Sequence, residues 1–220
     1  MRGNPKDLIR SGMSKEMVAK MAHLAKFGIQ SYIPPLLARQ IINDYDISMG
    51  KCLDVGAGTG LLGIELAKIS ELEITALDIS PAMVKLASEE VTLNGMEKRV
   101  SVRQGDAQEL PFEDDYFDLV VSKGTLWFFK DKVKAFKEIY RVLKPGGITY
   151  IGCGDARRIP NNLRDIVKMA RFRFDMQRKK FQKEWRELRL PPREWNLILS
   201  EAGIERYKYY NGYFWIEIKK

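Results

Sequence analysis

The sequence is poor in the features that form disulfide frameworks or cross a membrane. It has only two cysteines, Cys52 and Cys153, and both fall within predicted central strands, where we expect them to be small buried apolar residues. The longest apolar runs fall far short of the ~20 residues that span a bilayer. Residues 1–20 are charged, unlike a signal peptide. We therefore expect a cytoplasmic protein with no transmembrane segment.

The sequence does have enough apolar material for one sizeable core. The chain has 220 residues, of which 45% are hydrophobic, and strand and helix patterns alternate from Lys51 onward. No internal repeat or low-complexity tract divides it. This pattern predicts a single α/β domain with additional segments attached.

The most informative segment is a short apolar run that breaks into closely spaced glycines. It reads Lys51-Cys-Leu-Asp-Val-Gly-Ala-Gly-Thr-Gly60 and is followed by an amphipathic stretch over residues 61–69, which predicts a strand, a tight turn and a helix. Glycine adopts backbone angles closed to other residues and leaves the main chain bare at the helix start. A flat or polar ligand can therefore lie against this turn.

The glycine spacing matches two ligand classes. Gly58, Gly60 and Gly63 give the G-x-G-x-x-G of dinucleotide-binding domains. Beginning instead at Gly56 gives the G-x-G-x-G of S-adenosylmethionine enzymes. In the dinucleotide fingerprint the first glycine ends the strand directly, and the predicted strand here ends at Val55. That register favours the second class, and a structural turn without a ligand remains the alternative.

The next predicted strand ends in an acidic residue. It covers residues 73–78 and ends at Asp78, about the spacing past the glycines at which such folds meet a ribose. The helix that follows already has Ser80 as its N-cap and Pro81 at its first position. Asp78 is therefore not needed as a cap, which favours a role in ligand binding.

Two further strands end in small or polar residues. The third, residues 100–104, is followed by Asp106, and the fourth, residues 117–122, ends at Ser122. The carboxyl ends of parallel strands line one crevice of an open sheet. We expect four residues to gather there: Asp54, Asp78, Asp106 and Ser122.

Five motifs follow one another along residues 50–153. They are Cys52-Leu-Asp-Val-Gly-Ala-Gly-Thr-Gly60, Leu77-Asp-Ile-Ser-Pro-Ala-Met83, Gly105-Asp-Ala107, Phe117-Asp-Leu-Val-Val121 and Leu143-Lys-Pro-Gly-Gly147. Together they resemble the ordered motifs of class I S-adenosylmethionine-dependent methyltransferases, nearest to the group with the ubiquinone/menaquinone-type small-molecule enzymes. The resemblance implies S-adenosyl-L-methionine as the cofactor, methyl transfer to a small-molecule acceptor, and no metal ion.

The resemblance also implies a set of cofactor-binding residues. These are Asp54, Gly56, Ala57, Gly58, Gly60, Asp78, Ile79, Met83, Asp106, Ala107 and Ser122. The glycine turn would pack against the methionine moiety, with Asp54 beneath it fixing the amino group, and Asp78 would accept from the ribose hydroxyls. Ile79 and Met83 would cover the adenine. Asp106 and the Ala107 main chain would contact its polar edge, and the Ser122 main chain would lie near the sulfonium.

The C-terminus distinguishes the two sheet types without using these motifs. Residues 204–210 and 213–218 are rich in aromatic and β-branched residues and are separated only by Asn211-Gly212, a strong hairpin signal. A two-residue link cannot make a parallel crossover. We therefore expect a Rossmann-like, seven-stranded, mostly parallel sheet with an antiparallel C-terminal strand and helices on both faces. The aromatic residues of the hairpin are expected in the sheet core.

Two regions outside the motifs are expected to shape substrate choice. Residues 157–193 contain thirteen Lys or Arg and four Asp or Glu, a net charge of +9 against +8 for the whole chain. We interpret the chain as an N-terminal helical cap (1–48), a cofactor-binding core (49–153), a basic helical insertion (154–192) and a C-terminal helix and hairpin (193–220). The insertion could be a lid with a solvated basic face, a binding surface for an anionic substrate, or a contact with a membrane surface.

The sequence identifies the methyl acceptor poorly, because a sulfonium methyl needs little catalytic machinery beyond alignment and exclusion of water. Residues 122–125 replace the Asn/Asp-Pro-Pro-aromatic motif used on exocyclic amines, so a small-molecule acceptor, possibly anionic, is favoured over nucleic acid. The alternatives are a tRNA or rRNA methyltransferase that uses the basic insertion, or a non-catalytic cofactor-binding protein. No catalytic residue or oligomeric state is assigned. Six residues are candidates near the acceptor: Lys123, Trp127 and Phe128 as contacts, and His23, Tyr32 and Asp155 as bases.

Overall fold

The structure, a computed structural model, describes residues 31–153, 156, 190–210 and 214–220. These residues form a seven-stranded sheet in the order β3-β2-β1-β4-β5-β7-β6. The strands are β1 (Met49–Val55), β2 (Glu71–Asp78), β3 (Val100–Gln104), β4 (Phe117–Lys123), β5 (Leu143–Cys153), β6 (Tyr207–Tyr210) and β7 (Phe214–Lys219). The predicted seven-stranded architecture is confirmed.

The direction of the strands also agrees with the prediction. Strands β1 to β5 pair in parallel, whereas β7 lies antiparallel to both β5 and β6. The register brings Val55 opposite Leu77, and Asp78 opposite Gln104. The carboxyl ends of β1, β2 and β3 therefore meet at one edge of the sheet. The Asn211-Gly212 turn itself lies outside the described residues.

Five α-helices lie among the described residues, and local signals explain where they begin. They are α1 (Ile33–Tyr45), α2 (Leu61–Lys68), α3 (Pro81–Leu93), α4 (Lys132–Val142) and α5 (Pro192–Glu201). The Ser80 hydroxyl accepts from the Met83 N–H at the start of α3, as predicted, and Asp131 caps α4 by accepting from the Lys134 N–H. A proline begins α3 and α5, where no N–H is needed.

The strand predicted to begin at Ile204 begins three residues later, at Tyr207. The cause is the end of α5, where Gly203 has a φ of 76° and the Ile204 N–H donates to the Leu199 carbonyl at 2.9 Å. These residues therefore satisfy the last carbonyls of the helix and cannot yet join the sheet.

Apolar side chains cover both faces of the sheet. One cluster joins α4 and α5 to the sheet, and the other joins α1 and α2 to the opposite face. Cys52 is fully buried and Cys153 partly buried, so the prediction of two small core residues holds fully for Cys52. Trp215 of the hairpin is also buried and stacks on Tyr150, with 4.4 Å between ring centroids. The hairpin aromatics thus contribute to the sheet core.

Several predicted segments lie outside the described residues. They include the N-terminal helix with His23, residues 157–189 of the basic insertion, and Asp155. In the segments that are described, no helix has both the length and the apolar content to cross a bilayer.

Candidate cofactor site

The glycine turn after β1 folds over the end of β2. The N–H groups of Gly56 and Ala57 both donate to the Leu77 carbonyl, at 2.7 and 3.0 Å. Gly56, Gly58 and Gly60 have φ values of 67°, 57° and 76°, in the left-handed region that favours glycine. The G-x-G-x-G spacing is thus a requirement of the backbone path between β1 and α2.

The first two of these glycines face different surroundings. A Cβ at position 56 would overlap the side chain of Thr125, whereas a Cβ at position 58 would meet no atom within 4 Å. Gly56 is therefore packed against the protein, and the main chain at Gly58 is bare. Open space beside a left-handed glycine is what close approach of a ligand requires.

We expect Gly58→Ala to fold but to weaken cofactor binding by tenfold or more. The left-handed φ should lower stability by about 1–2 kcal/mol, and the added methyl group fills the open space where the ligand would approach. Gly95→Ala is the matched control, because Gly95 has a φ of 65° and equally open surroundings but lies after α3. Calorimetric titration with S-adenosylhomocysteine should show lost affinity for Gly58→Ala alone. Equal losses in both variants would contradict a ligand at Gly58.

Asp78 binds the turn from the neighbouring strand. One carboxylate oxygen accepts from the Gly58 N–H at 2.9 Å, and the other accepts from the Ser80 N–H at 2.9 Å. Only 9% of the side chain is exposed, and burial raises the pKa of Asp78 against the opposing effect of these two N–H donors. Each oxygen retains a lone pair that could accept from a ribose hydroxyl. The predicted ribose residue is thus also the residue that fixes Gly58.

Asp54 lies at the base of a pocket beside the turn. It is 2% exposed, and its Oδ2 atom has no hydrogen-bond partner among the residues that the structure describes. The pocket is lined by Pro34, Asp54, Gly56, Ala57, Thr59, Leu61, Leu62 and Lys123. A buried carboxylate oxygen without a donor is costly, and a cationic ligand group would supply one.

The surroundings of Asp54 favour its neutral form in the ligand-free protein. Burial raises its pKa to about 7, the negative charge of Asp78 acts in the same direction, and the Gly63 N–H and the Lys123 ammonium act against it. A carboxyl group with such a pKa exchanges its proton near neutral pH. Its charge therefore depends on what enters the pocket.

The residues expected around the adenine lie outside this pocket lining. Asp106 accepts from the Gln108 N–H at 2.9 Å and from the Gln108 side-chain amide at 3.0 Å, and Ala107 is buried. Ile79 is 61% exposed, whereas Met83 is fully enclosed by protein. An adenine contact by Met83 would need its neighbours to move, but Ile79 is available as it stands. The adenine assignments therefore stay predictions.

The end of β4 lies beside the glycine turn. The buried Ser122 hydroxyl donates to the Val55 carbonyl at 2.7 Å, so this side chain joins β4 to β1. Lys123 follows and reaches the pocket. Trp127 is buried and packs on Trp195 and Phe214, with centroid distances of 5.7 and 4.8 Å. Trp127 is therefore a core residue and not an exposed platform for an acceptor.

Two other candidates near the acceptor are partly exposed. Phe128 is 40% exposed and Tyr32 is 49% exposed.

Sequence reasoning missed five lining residues and the contact of Thr125 with Gly56. The missed lining residues are Pro34, Thr59, Leu61, Leu62 and, as a cofactor residue, Lys123. The prolines at the start of α1 were a signal for its position, but nothing local indicated that this helix faces the turn.

The pocket fits the methionine end of S-adenosyl-L-methionine. The buried Oδ2 of Asp54 can accept from an ammonium group, and the first N–H groups of α2 have no acceptor within the helix and favour a carboxylate. Lys123 adds a positive charge on the same lining. One acceptor and a set of donors within one pocket suit a zwitterionic amino acid group.

Comparison with known proteins agrees with this chemistry. Residues 53–151 match the family model described as "Methyltransferase domain". The chain is 35% identical over 144 residues to a ubiquinone/menaquinone biosynthesis C-methyltransferase of Proteus mirabilis, covering 60% of this chain and 56% of that protein. It thus spans less than two thirds of that relative, and 40% of a demethylmenaquinone methyltransferase from Lactiplantibacillus plantarum, to which it is 47% identical over 96 residues.

A solved structure is similar over nearly the full length of both chains. It is a candidate S-adenosyl-L-methionine-dependent methyltransferase from Methanococcus maripaludis, with 35% sequence identity and a TM-score of 0.81. The similarity covers 95% of this chain and 97% of the other. The similarity therefore includes the sheet, the glycine turn and the antiparallel strand β7 of this chain.

Proposed function

Because this chain belongs to the family of S-adenosyl-L-methionine-dependent methyltransferases, we propose that it binds S-adenosyl-L-methionine in this pocket and transfers the methyl group to a small-molecule acceptor. The observation that carries the proposal is the buried Oδ2 atom of Asp54, which has no hydrogen-bond partner among the described residues and belongs to a residue on the same pocket lining as Gly56 and Ala57. A dinucleotide has no ammonium group to place against this oxygen, whereas the methionine moiety has one.

The residues of the chain mainly bind and orient in this proposal. When bound, the cofactor supplies an electrophilic methyl group on a sulfonium. Asp54 would hold the amino group, Asp78 the ribose, and the main chain at Gly58 the part between them. Fixing both ends of the donor restricts the direction in which an acceptor can approach, which is where most of the rate increase of such a reaction arises.

For the acceptor, we propose an electron-rich aromatic of the hydroquinone class as the first to test. The relatives from Proteus mirabilis and Lactiplantibacillus plantarum are named for methylation in quinone biosynthesis. On this chain, Lys123 is one of the residues that line the pocket, and a nearby cation favours the ionised form of a phenolic oxygen. An ionised ring is the better nucleophile toward a methyl group.

Labelled S-adenosyl-L-methionine, incubated separately with a hydroquinone mixture, a metabolite extract and total RNA, tests this proposal. We expect label in the hydroquinone mixture or the extract, and much less with Asp54→Asn, which cannot become an anion and should bind the cofactor more weakly. Label in RNA alone would favour the RNA methyltransferase, and binding without transfer to any fraction would favour the non-catalytic protein. Retention of a nicotinamide dinucleotide instead would overturn the assignment of the cofactor.

The two segments outside the cofactor-binding core are assigned to the acceptor in this proposal. The cap (1–48) and the basic insertion (154–192) flank the cofactor-binding core in the sequence, and α1 of the cap places Pro34 on the pocket lining. We propose that both segments complete the acceptor site and that the protein works in the cytoplasm. The net charge of +9 over residues 157–193 supports an acceptor that carries negative charge.

A further inference from the structure

The segment after β4 is tied to the cofactor turn by a threonine. The Thr125 hydroxyl donates to the Gly56 carbonyl at 2.9 Å, and its side chain occupies the space that a Cβ on Gly56 would need. No other hydrogen bond to this carbonyl is found among the described residues. The Gly56 main chain is thus held on both sides, its carbonyl by the Thr125 hydroxyl and its N–H by the Leu77 carbonyl.

The main chain of Thr125 begins the short turn that carries Phe128, the candidate acceptor contact. The Thr125 carbonyl accepts from the Phe128 N–H at 2.8 Å, which closes the short 3-10 turn Leu126–Phe128. The residue before it, Gly124, has a φ of 80° and donates its N–H to the Gly152 carbonyl at 2.7 Å. Thr125 therefore links the glycine turn to the turn that carries Phe128, and the neighbouring Gly124 joins the same segment to the end of β5.

The hydroxyl of Thr125 does not cap the short turn that follows it. Threonine at the start of a helical turn commonly caps it with its own side chain, but no such bond is made here. The hydroxyl bonds across to Gly56 instead, from a separation of 69 residues in sequence. Thr125 has helical backbone angles, φ −97° and ψ −25°, which do not suit a side-chain cap, and its hydroxyl aligns the two segments instead.

We propose that Thr125 is a positioning residue for methyl transfer, which sets the glycine turn in register with the segment that faces the acceptor. This inference rests on the proposed function. Asp78 holds the turn at Gly58, on the ribose side, and Thr125 holds it at Gly56, next to the ends of β1 and β4. Loss of the Thr125 bond should therefore disturb alignment of the methyl group more than overall affinity for the cofactor.

Thr125→Val keeps the shape of the side chain and removes the donor. We expect kcat with the labelled acceptor fraction to fall by about tenfold or more, because a misplacement of about 1 Å can lower the rate by up to about a hundredfold. The dissociation constant for S-adenosylhomocysteine should stay within about threefold of the wild-type value, and Thr125→Ser should restore kcat. In NMR spectra, the backbone resonances of Gly56 and Gly58 should shift in Thr125→Val.

Thr149→Val is the matched control. Thr149 is buried, whereas Thr125 is partly buried, and the Thr149 hydroxyl oxygen accepts from the Ile218 N–H at 3.0 Å, so that it joins β5 to β7 within the sheet. It should lower thermal stability without changing kcat or the glycine resonances. An unchanged kcat in Thr125→Val, or an equal loss in Thr149→Val, would overturn the inference. If the wild-type protein transfers no methyl group, the proposed function fails. The NMR measurement does not depend on methyl transfer, and unshifted resonances of Gly56 and Gly58 in Thr125→Val would by themselves overturn the role of Thr125.

Discussion

Asp78→Ala is expected to weaken binding of S-adenosyl-L-methionine by about one to several kcal/mol, because each ribose hydroxyl left without an acceptor in the complex costs about 1–3 kcal/mol. The Gly58 and Ser80 N–H groups would lose the acceptor that the carboxylate provides at 2.9 Å, and the ribose hydroxyls would lose the same acceptor. Isothermal titration calorimetry with S-adenosyl-L-methionine and S-adenosylhomocysteine measures the effect. Unchanged affinity would contradict the ribose assignment.

Asp118→Ala is the control for a general effect of removing a carboxylate. Asp118 also accepts from a backbone N–H, that of Lys51 at 2.8 Å, and from the Lys144 ammonium, but it lies near the start of β4 at the opposite edge of the sheet. Those donors lower its pKa, so it is an anion at neutral pH. Its loss should lower stability and leave cofactor affinity unchanged.

A second comparison separates a ribose contact from an indirect effect through Gly58. If Asp78 accepts from a ribose hydroxyl, removal of that hydroxyl from the ligand should cost little more once the carboxylate is gone. The losses for Asp78→Ala and for the 2′-deoxy analogue of S-adenosylhomocysteine would then not be additive. Full additivity would leave Asp78 as a residue that shapes the turn without touching the ribose.

The sequence predicted the parts of the site that depend on backbone geometry. The left-handed φ of Gly56, Gly58 and Gly60 favours glycine, so this turn is visible in the sequence as closely spaced glycines. The cap at Ser80 depends only on residues within one turn of its helix. The position of Asp78 at a strand end follows from the pleat and register of parallel strands. Such features are local, or repeat in every sheet of this kind, and the structure agrees with them.

The parts that could not be predicted depend on contacts between distant segments. The hydrogen bond and side-chain contact of Thr125 with Gly56 join two strand ends that are 69 residues apart. The burial of Trp127 depends on Trp195 and Phe214, which come from α5 and β7. Hydrophobic pattern gives the side of an element that is buried, but not which aromatic residue fills the space and which remains exposed.

The charge state of Asp54 is the property of the site that sequence reasoning could not reach. A carboxyl group at the end of a strand is ordinarily an anion at neutral pH, but here burial raises its pKa to about 7. Because the folded-state pKa lies above 3.8, the value of an unperturbed aspartate, the folded protein binds this proton more tightly than the unfolded chain does. The group therefore lowers stability as pH rises from about 4 to about 7, with the full loss present above that window.

Asp54→Asn should consequently stabilise the ligand-free protein at pH 8, while having little effect near pH 4. The difference in pKa corresponds to an upper limit on the order of 4 kcal/mol in the free energy of unfolding. Urea denaturation of both proteins across this pH range measures the effect, and taking their difference cancels the contributions of all other titrating groups. A constant difference across the range would show that Asp54 does not titrate in it.

Cofactor binding should reverse this preference, because an ammonium group beside Oδ2 favours the carboxylate. Affinity of the wild-type protein for S-adenosylhomocysteine should therefore rise as pH increases from about 5.5 to about 7.5, and a proton should be released on binding below about pH 7. Titrations in buffers of different ionisation enthalpy measure that proton directly. Asp54→Asn should bind more weakly and lose both effects, since its amide cannot ionise. If the wild-type affinity is flat with pH while Asp54→Asn still binds as tightly, the methionine moiety does not contact Asp54, and the orientation proposed for the cofactor is wrong.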